Sequence, residues 1–210
     1  MLGYIDCGIQ KCRDMRVIAG KYRSRPLRSL RGMDIRPTSD RVRETLFNVL
    51  TAGNPEALVG SVWLDLFAGT GAVGIEALSR GAKEVHFVES SSAATQAIRK
   101  NLHSLGIAEG FKIMQQELPQ AFWRMERERV AADVVFIDPP YRMKDVYTRT
   151  LGALAESSLI WVMSVVIAEH EKKFDPGQEF GQLRRFRRLY QGSTALSFYR
   201  LGSSGDVSVN

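Results

Sequence analysis

The 210-residue sequence contains few residues that could bind a metal ion or form disulfides. Its two cysteines, Cys7 and Cys12, lie near the N-terminus, and its three histidines, His86, His103 and His170, are far apart. This spacing fits neither a zinc motif nor a disulfide framework. We therefore expect a protein of the cytosol that holds no metal ion.

Long apolar segments are also missing. The longest mostly apolar run, Leu159–Ala168, has ten residues, which is too short to span a bilayer. Asp6, Lys11 and Asp14 interrupt the N-terminal segment, which argues against a signal peptide. The composition, 44% hydrophobic and 25% charged, is typical of a globular protein, and the length suits one domain with a small addition.

The positive charge is concentrated at the N-terminal end of the chain. The formal net charge is +6; the first 50 residues contain 11 Lys and Arg against 5 Asp and Glu, and the rest contains 18 of each. A basic run without any acid lies in this region and comprises Arg16, Lys21, Arg23, Arg25, Arg28 and Arg31. Such a run is either an arm that binds a polyanion or a solvated face, and charge alone does not separate the two.

Sequence periodicity suggests four segments. The first 14 residues show little pattern, and we expect Met15 to be the biological start. The predicted boundaries are a leader at 1–14, a basic hairpin or extended arm at 15–36, a main domain at 37–202 and a flexible tail at 203–210.

Apolar strands alternate with helices through the main domain. The predicted helices are Thr38–Thr51, Ala72–Arg80, Ser91–Leu105, Leu118–Arg129 and Lys144–Ser157. The predicted strands are Val62–Phe67, Glu84–Glu89, Phe111–Met114, Asp133–Ile137, Ile160–Ala168, Arg184–Tyr190 and Thr194–Arg200. Alternation of this kind indicates a parallel sheet covered on both faces, whereas the short turn between the last two strands requires them to be antiparallel.

A glycine-rich turn follows the first strand of this sheet. Gly69, Gly71 and Gly74 form a G-x-G-x-x-G pattern between strand and helix, and Glu89 ends the next strand. The pattern matches a dinucleotide fingerprint, so NAD, S-adenosylmethionine and a turn without ligand are all possible interpretations.

Asp65, inside the apolar strand before this turn, favours S-adenosylmethionine. A buried carboxylate is costly unless a cation lies near it. The pyrophosphate of NAD would be repelled, whereas S-adenosylmethionine carries an ammonium and a sulfonium and has no phosphate. Glu89 would then accept hydrogen bonds from the ribose hydroxyls.

A second motif, Asp138-Pro139-Pro140-Tyr141, follows the fourth strand of the main domain. Open α/β sheets bind ligands beyond the carboxyl ends of their strands, and two prolines fix the backbone there. The groups suit methyl transfer to an exocyclic amine of a planar base. Asp138 and the Pro139 carbonyl would accept its N–H groups, while Tyr141 would stack on the unpaired base. A solvent-facing turn with a capping Asp is the alternative.

These two motifs resemble those of amino-methyltransferases that act on nucleic acids. The stretches 16–27 and 36–50 and the ending 190–199 narrow the resemblance to the bacterial 16S ribosomal RNA guanine-N2 methyltransferase family (RsmD). It extends from Met15 to Leu201, with four motifs in the same order.

The resemblance implies an α/β fold of the class I, Rossmann-like, S-adenosylmethionine-dependent methyltransferases. Its sheet would have seven mostly parallel strands with an antiparallel last strand, preceded by a small N-terminal β-hairpin. The implied reaction methylates N2 of one guanine in 16S rRNA, on an assembled or nearly assembled small ribosomal subunit in the cytoplasm. We expect a monomer.

Site residues follow from the same motifs. The implied catalytic residues are Asp138, Pro139, Pro140 and Tyr141. The implied cofactor-binding residues are Asp65, Phe67, Ala68, Gly69, Thr70, Gly71, Glu89, Ser90, Gln116 and Thr38. The RNA-binding residues are expected to be Lys21, Arg23, Arg25, Arg28 and Arg36. Gln116 is a departure, because such enzymes often carry an Asp there for the adenine amine; a Gln oxygen can accept the same bond without charge.

Three other functions are consistent with parts of the sequence. A DNA adenine-N6 or cytosine-N4 methyltransferase usually has an added target-recognition region, for which this chain has little room. A non-catalytic ribosome-assembly factor would not need the intact motif at Asp138. An NAD-dependent oxidoreductase is disfavoured by Asp65. A second basic run, Arg184–Arg188, is expected either to present one basic face that shields a sheet edge or to contact RNA.

Overall fold

The computed structural model describes residues 15–29, 38–140 and 142–202. The expectations for the leader at 1–14, for Arg31, Arg36 and Tyr141, and for the tail at 203–210 lie outside these residues.

Five helices and eight strands make up the described part of the chain. The helices are α1 (Asp40–Leu50), α2 (Ala72–Ser79), α3 (Ser92–Leu105), α4 (Leu118–Arg127) and α5 (Lys144–Glu156). The strands are β1 (Val62–Leu66), β2 (Glu84–Val88), β3 (Phe111–Met114), β4 (Ala132–Ile137), β5 (Ile160–Glu171), β6 (Glu179–Phe180), β7 (Leu183–Gln191) and β8 (Thr194–Leu201). Every element predicted from the sequence is present. None of the helices in this part of the chain combines the length and the hydropathy of a membrane span.

All strands belong to one sheet with the order β3-β2-β1-β4-β5-β8-β7-β6. The first five are mutually parallel, and β8 is antiparallel to both of its neighbours, β5 and β7. The predicted fold class and the antiparallel closing pair are therefore confirmed. The sheet has one strand more than the seven expected, because the two-residue β6 pairs with Leu183 and Arg184 at the edge. So short a strand leaves no alternating apolar pattern in the sequence.

Helices cover both faces of the sheet, as the alternating pattern predicts. One core contains α1, α2 and α3, and the ring of Phe47 stacks on Trp63 in it at a centroid distance of 5.3 Å. The other core contains α4 and α5. A Cβ at Gly74 would lie 2.3 Å from the ring of Phe87, so glycine is required for α2 to approach β2 this closely.

The N-terminal arm folds back on itself and packs against the first core. Residues Arg16 and Pro26 form an antiparallel bridge, and the Val17 N–H donates to the Arg25 carbonyl at 3.0 Å. Three apolar side chains of the arm are buried: Met15, Val17 and Leu27. The expected hairpin is therefore present, and its apolar residues belong to the main core.

Candidate active site

Strand register aligns acidic residues at the carboxyl edge of the sheet. Leu66 on β1 pairs with Val88 on β2 and with Ile137 on β4, which in turn pairs with Ala168 on β5. The residues that follow these four form the next row across the edge: Phe67, Glu89, Asp138 and Glu169. Two of the predicted acids, Glu89 and Asp138, are thereby brought to the same edge.

The turn after β1 provides the predicted ligand-binding backbone. Phe67 and Gly69 have positive φ angles, of 62° and 54°, and Gly71 begins α2 at φ 77°. For a phenylalanine this left-handed conformation is an outlier, of a kind that concentrates at functional sites. Ala68 and Thr70 in the same turn are buried.

Asp65 connects β1 to the start of α2. Its carboxylate is only 2% exposed, and it accepts a hydrogen bond of 2.9 Å from the Gly74 N–H in α2. Burial raises the pKa of Asp65 to about 7, the Gly74 hydrogen bond opposes that rise, and the negative charge of Glu89 adds to it. Among the described residues no Lys or Arg forms an ion pair with Asp65. A cation bound here would lower this pKa and stabilise the carboxylate.

Glu89 is held by backbone donors on both sides. Its two carboxylate oxygens accept from the Gly69 N–H at 2.9 Å and from the Ser91 N–H at 2.8 Å. Each carboxylate oxygen can accept a second bond, so the group remains able to bind hydroxyls while its orientation is fixed. Ser90, the neighbouring predicted residue, is exposed.

Gln116, after β3, carries an unused acceptor. Its Oε1 atom is buried and has no hydrogen-bond partner among the described residues. Buried polar atoms are nearly always satisfied, so an orphan at this position points to a donor from a ligand. The neighbouring Gln115 differs, because its Oε1 accepts from the Thr95 hydroxyl at 3.2 Å.

Asp138 directly follows β4 and accepts a hydrogen bond from a residue near the start of the domain. The Thr38 Oγ1 donates to its Oδ2 at 3.1 Å. Burial raises the pKa of Asp138 well above its usual value, the charge of Glu169 adds to this rise, and the Thr38 hydrogen bond opposes it. Thr38, predicted to bind cofactor, therefore contacts Asp138, which is predicted to be catalytic.

Tyr147 of α5 was not singled out by the sequence, yet it braces this edge. Its buried hydroxyl donates to the Glu169 carbonyl at 2.7 Å and lies 3.5 Å from the Pro139 carbonyl. Pro139 is buried and Pro140 is exposed. The backbone of the second motif is thus fixed from β5 as well as by its prolines.

The basic arm runs away from this edge rather than converging on it. Near the site, the Arg28 N–H donates to Asn101 Oδ1 at 2.8 Å, and Asn101 Nδ2 donates to the Thr70 carbonyl at 3.0 Å. At the far end of α2, the Lys21 N–H donates to the Ser79 carbonyl at 2.7 Å. The side chains of the four described RNA-binding candidates, Lys21, Arg23, Arg25 and Arg28, are all exposed.

Tyr22, within the arm, is half-buried against the first core. The Lys21 ammonium lies 5.3 Å from the centre of its ring.

Three arginines of the second basic run form ion pairs with acids of the segment between β5 and β7. A bulge lies between Arg185 and Arg187, and it breaks the alternation from which a single basic face was predicted. Arg185 and Arg188 both pair with Asp175, and the Arg185 hydrogen bond lowers the pKa of Asp175 to about 2. Arg184 pairs with Glu179 on β6.

Comparison with known proteins shows to which protein family this chain belongs. A family model described as Conserved hypothetical protein 95 matches residues 15–200. Ribosomal RNA small subunit methyltransferase D of Haemophilus influenzae is 35% identical over 159 residues, which are 76% of this chain and 80% of that protein. The chain belongs to the RsmD family of methyltransferases.

Solved structures agree with the predicted fold. A hypothetical protein of Thermus thermophilus aligns with a TM-score of 0.73 and 25% identity, covering 90% of this chain and 99% of that one. An RNA methyltransferase from Salinibacter ruber in complex with S-adenosyl-L-homocysteine aligns with a TM-score of 0.63 and 17% identity, covering 83% and 99%. The RsmD chain therefore has the class I methyltransferase fold, as the sequence predicts.

Proposed function

We propose that this protein transfers the methyl group of S-adenosylmethionine to the N2 amine of a guanine in 16S rRNA, on an assembled or nearly assembled small subunit. The observation that carries the proposal is the row of acids at the sheet edge. Glu89 lies beside the glycine turn and Asp138 directly follows β4, so a cofactor and an acceptor base can meet between them. Membership in a family of ribosomal RNA methyltransferases supports the choice of RNA.

The residues of the site fit the cofactor. Asp65 offers a buried carboxylate suited to an ammonium, and Glu89 offers oxygens suited to ribose hydroxyls. The orphaned Gln116 Oε1 suits the amine of adenine, from which a Gln oxygen accepts a hydrogen bond without the charge of an Asp. When bound, S-adenosylmethionine supplies a methyl group on a positively charged sulfur, and the C–S electron pair stays on sulfur as the methyl group leaves.

Asp138 prepares the amine nitrogen for attack. An exocyclic amine is a weak nucleophile because its lone pair is delocalised into the ring. Asp138 and the Pro139 carbonyl each accept an N–H bond, which directs the lone pair toward the methyl carbon. As the N–C bond forms, positive charge develops on nitrogen, and the Asp138 carboxylate stabilises it in the transition state. One N–H proton then leaves the methylated amine.

The pKa of Asp138 is raised by burial and by the charge of Glu169 when no ligand is bound. A cation bound near Asp138 would favour the carboxylate form, which is the form that accepts an N–H bond.

Methyl transfer from labelled S-adenosylmethionine tests the proposal. The substrates are small ribosomal subunits from cells that lack this activity, free 16S rRNA, and DNA. We expect label in the subunits, less in free RNA and none in DNA, with N2-methylguanosine as the product in mass spectra of nuclease digests. Label confined to DNA would identify a DNA amino-methyltransferase, and no label in any substrate would support a non-catalytic factor.

An Asp138→Ala variant provides the matched inactive control. We expect it to lose methyl transfer by at least about a hundredfold while binding S-adenosylhomocysteine within about threefold of the wild type. An active Asp138→Ala enzyme would show that this carboxylate does not stabilise the transition state.

A further inference from the structure

Glu169 is a third acid in the row and has no role in the mechanism above. Ala168 pairs with Ile137 in parallel register, so Glu169 on β5 is the neighbour of Asp138 on β4. Parallel strands are about 4.8 Å apart, which places the two acids at adjacent positions on one edge. Glu89 lies two strands to the other side of Asp138. Glu169 is therefore on the acceptor side of Asp138, away from the cofactor residues.

The burial of Glu169 is unusual for a glutamate. The residue is 4% exposed, and its charge adds to the burial that raises the pKa of Asp138, so the two carboxyl groups are close enough to interact. Two neighbouring buried carboxylates destabilise each other unless donors or cations lie between them. The exposed Glu171, two residues further along β5, carries no such cost.

We infer that Glu169 is a specificity-determining residue that accepts a hydrogen bond from N1–H of the acceptor guanine while Asp138 accepts one from its N2 amine. This inference rests on the proposed function. In guanine, the N1–H and the N2 amine are attached to the same ring carbon, so two adjacent acids can accept from both.

The same arrangement discriminates against the other amino bases. In adenine and cytosine, the ring nitrogen beside the exocyclic amine is an acceptor without a hydrogen. A carboxylate facing that nitrogen would be repelled by its lone pair and would lose the hydrogen bond that guanine offers. Asp138 alone serves any exocyclic amine, whereas Asp138 with Glu169 selects guanine.

A substrate with 2-aminopurine at the modified position tests this, because 2-aminopurine lacks the N1–H of guanine together with its O6 carbonyl. 2-Aminopurine keeps the amine that is methylated, but its N1 is an acceptor. Small subunits are reconstituted from ligated 16S rRNA with guanine or 2-aminopurine at the position found modified by mass spectrometry. Methyl transfer to both is measured for the wild type, Glu169→Ala, Glu169→Gln and the exposed control Glu171→Gln.

We expect the wild type and Glu171→Gln to prefer guanine about tenfold to a hundredfold, as the loss of a charge-assisted hydrogen bond implies. Glu169→Ala should lower this preference about tenfold or more while still binding S-adenosylhomocysteine, and any preference that it retains is assigned to O6. Glu169→Gln, which keeps the shape of the side chain but not its charge, should show an intermediate preference. If Glu169→Ala fails to fold, the preference of Glu169→Gln tests the inference alone.

A preference that is unchanged in both Glu169 variants would overturn the inference, as would a wild type that methylates 2-aminopurine as fast as guanine. Both results are read only after the wild type has been shown to methylate subunits that carry guanine. Failure of the wild type on guanine subunits would instead contradict the proposed function itself.

Discussion

Thr38 and Asp138 are separated by 100 positions in the chain, yet the Thr38 hydroxyl donates a hydrogen bond to the Asp138 carboxylate at 3.1 Å. Thr38 is buried and lies just before Ser39, whose side chain caps α1 by accepting from the Val42 N–H. The start of α1 is therefore bonded to the acid at the end of β4. Thr38 and Asp138 are thus in direct contact at the carboxyl edge of the sheet.

Replacement of Thr38 by valine should slow methyl transfer without weakening cofactor binding. We expect about a tenfold to hundredfold lower rate, because a hydrogen bond to a charged group is lost, and Thr38→Ser should restore most of it. Since the Thr38 hydrogen bond lowers the pKa of Asp138, its loss should move the acid limb of the pH–rate profile to higher pH. Unchanged rates and profiles in Thr38→Val would show that the bond has no catalytic role.

Cofactor binding should depend on pH through Asp65. Its pKa of about 7 means that the carboxyl is partly protonated in the free protein at neutral pH. A bound ammonium favours the ionised form, so affinity for S-adenosylhomocysteine should rise with pH between about 6 and 8, by up to about tenfold per unit below the pKa. Calorimetric titrations should show a weaker and flatter dependence in Asp65→Asn. The same slope in that variant would assign the proton to another group.

The stability of the protein without ligand should fall as pH rises, because of Asp65, whereas the affinity for ligand rises. Its folded-state pKa of about 7 lies above the ordinary value of 3.8, so the folded protein binds more protons between these pH values and loses stability as pH rises through them. Asp65→Asn removes this loss and can still accept from the Gly74 N–H. Denaturant unfolding should show Asp65→Asn more stable than the wild type at pH 8, by up to about 4 kcal/mol, and little different at pH 4. Equal stability at pH 8 would contradict the raised pKa.

Glu76 should be critical for attachment of the arm. This fully buried residue of α2 accepts from the Ile18 N–H at 2.7 Å and the Ala19 N–H at 3.0 Å, and it pairs with Arg80 at 2.8 Å. Glu76→Ala leaves these donors unsatisfied, with the buried Arg43 guanidinium 4.0 Å from the deleted carboxylate. We expect a loss of about 3–5 kcal/mol in urea unfolding.

An exposed glutamate serves as the control for Glu76. Glu56→Ala, in the loop after α1, should change stability by less than about 0.5 kcal/mol. A similar small effect for Glu76→Ala would mean that the arm is held by its apolar residues alone.

The two motif acids could be predicted from sequence because strand register does most of the positioning. Asp65 and Asp138 stand within or just after continuous apolar strands, and the carboxyl ends of parallel strands share one edge. Local signals also located the helix ends, such as Gly106, which has φ 72° at the end of α3.

Other contributors could not be found this way because their roles depend on long-range packing. The Thr38 bond to Asp138 joins segments that no periodicity connects. Glu169 stands in an ordinary strand end, Ile-Ala-Glu-His-Glu, and only the register with β4 shows its neighbour. Glu76 did carry a signal, since a lone acid in the apolar helix Ala-Val-Gly-Ile-Glu-Ala-Leu requires a buried partner.

The basic arm leaves a choice between RNA binding and a solvated face, and salt dependence decides it. Arg23 on the arm and Arg127 on α4 are both exposed arginines, but they lie on opposite layers of the domain. If the arm contacts phosphates, Arg23→Glu should weaken binding to small subunits and reduce the slope of log K against log salt by about 0.7–0.9.

Arg127→Glu should leave that slope unchanged. A triple charge reversal at Lys21, Arg23 and Arg28 should reduce the slope by about 2 or more, because binding releases fewer counterions for each phosphate contact that is lost. Filter binding at several salt concentrations measures all of these variants. Equal slopes in Arg23→Glu and Arg127→Glu would identify the arm as a solvated face. The side chains that grip the RNA would then have to lie at the sheet edge around Asp138 itself.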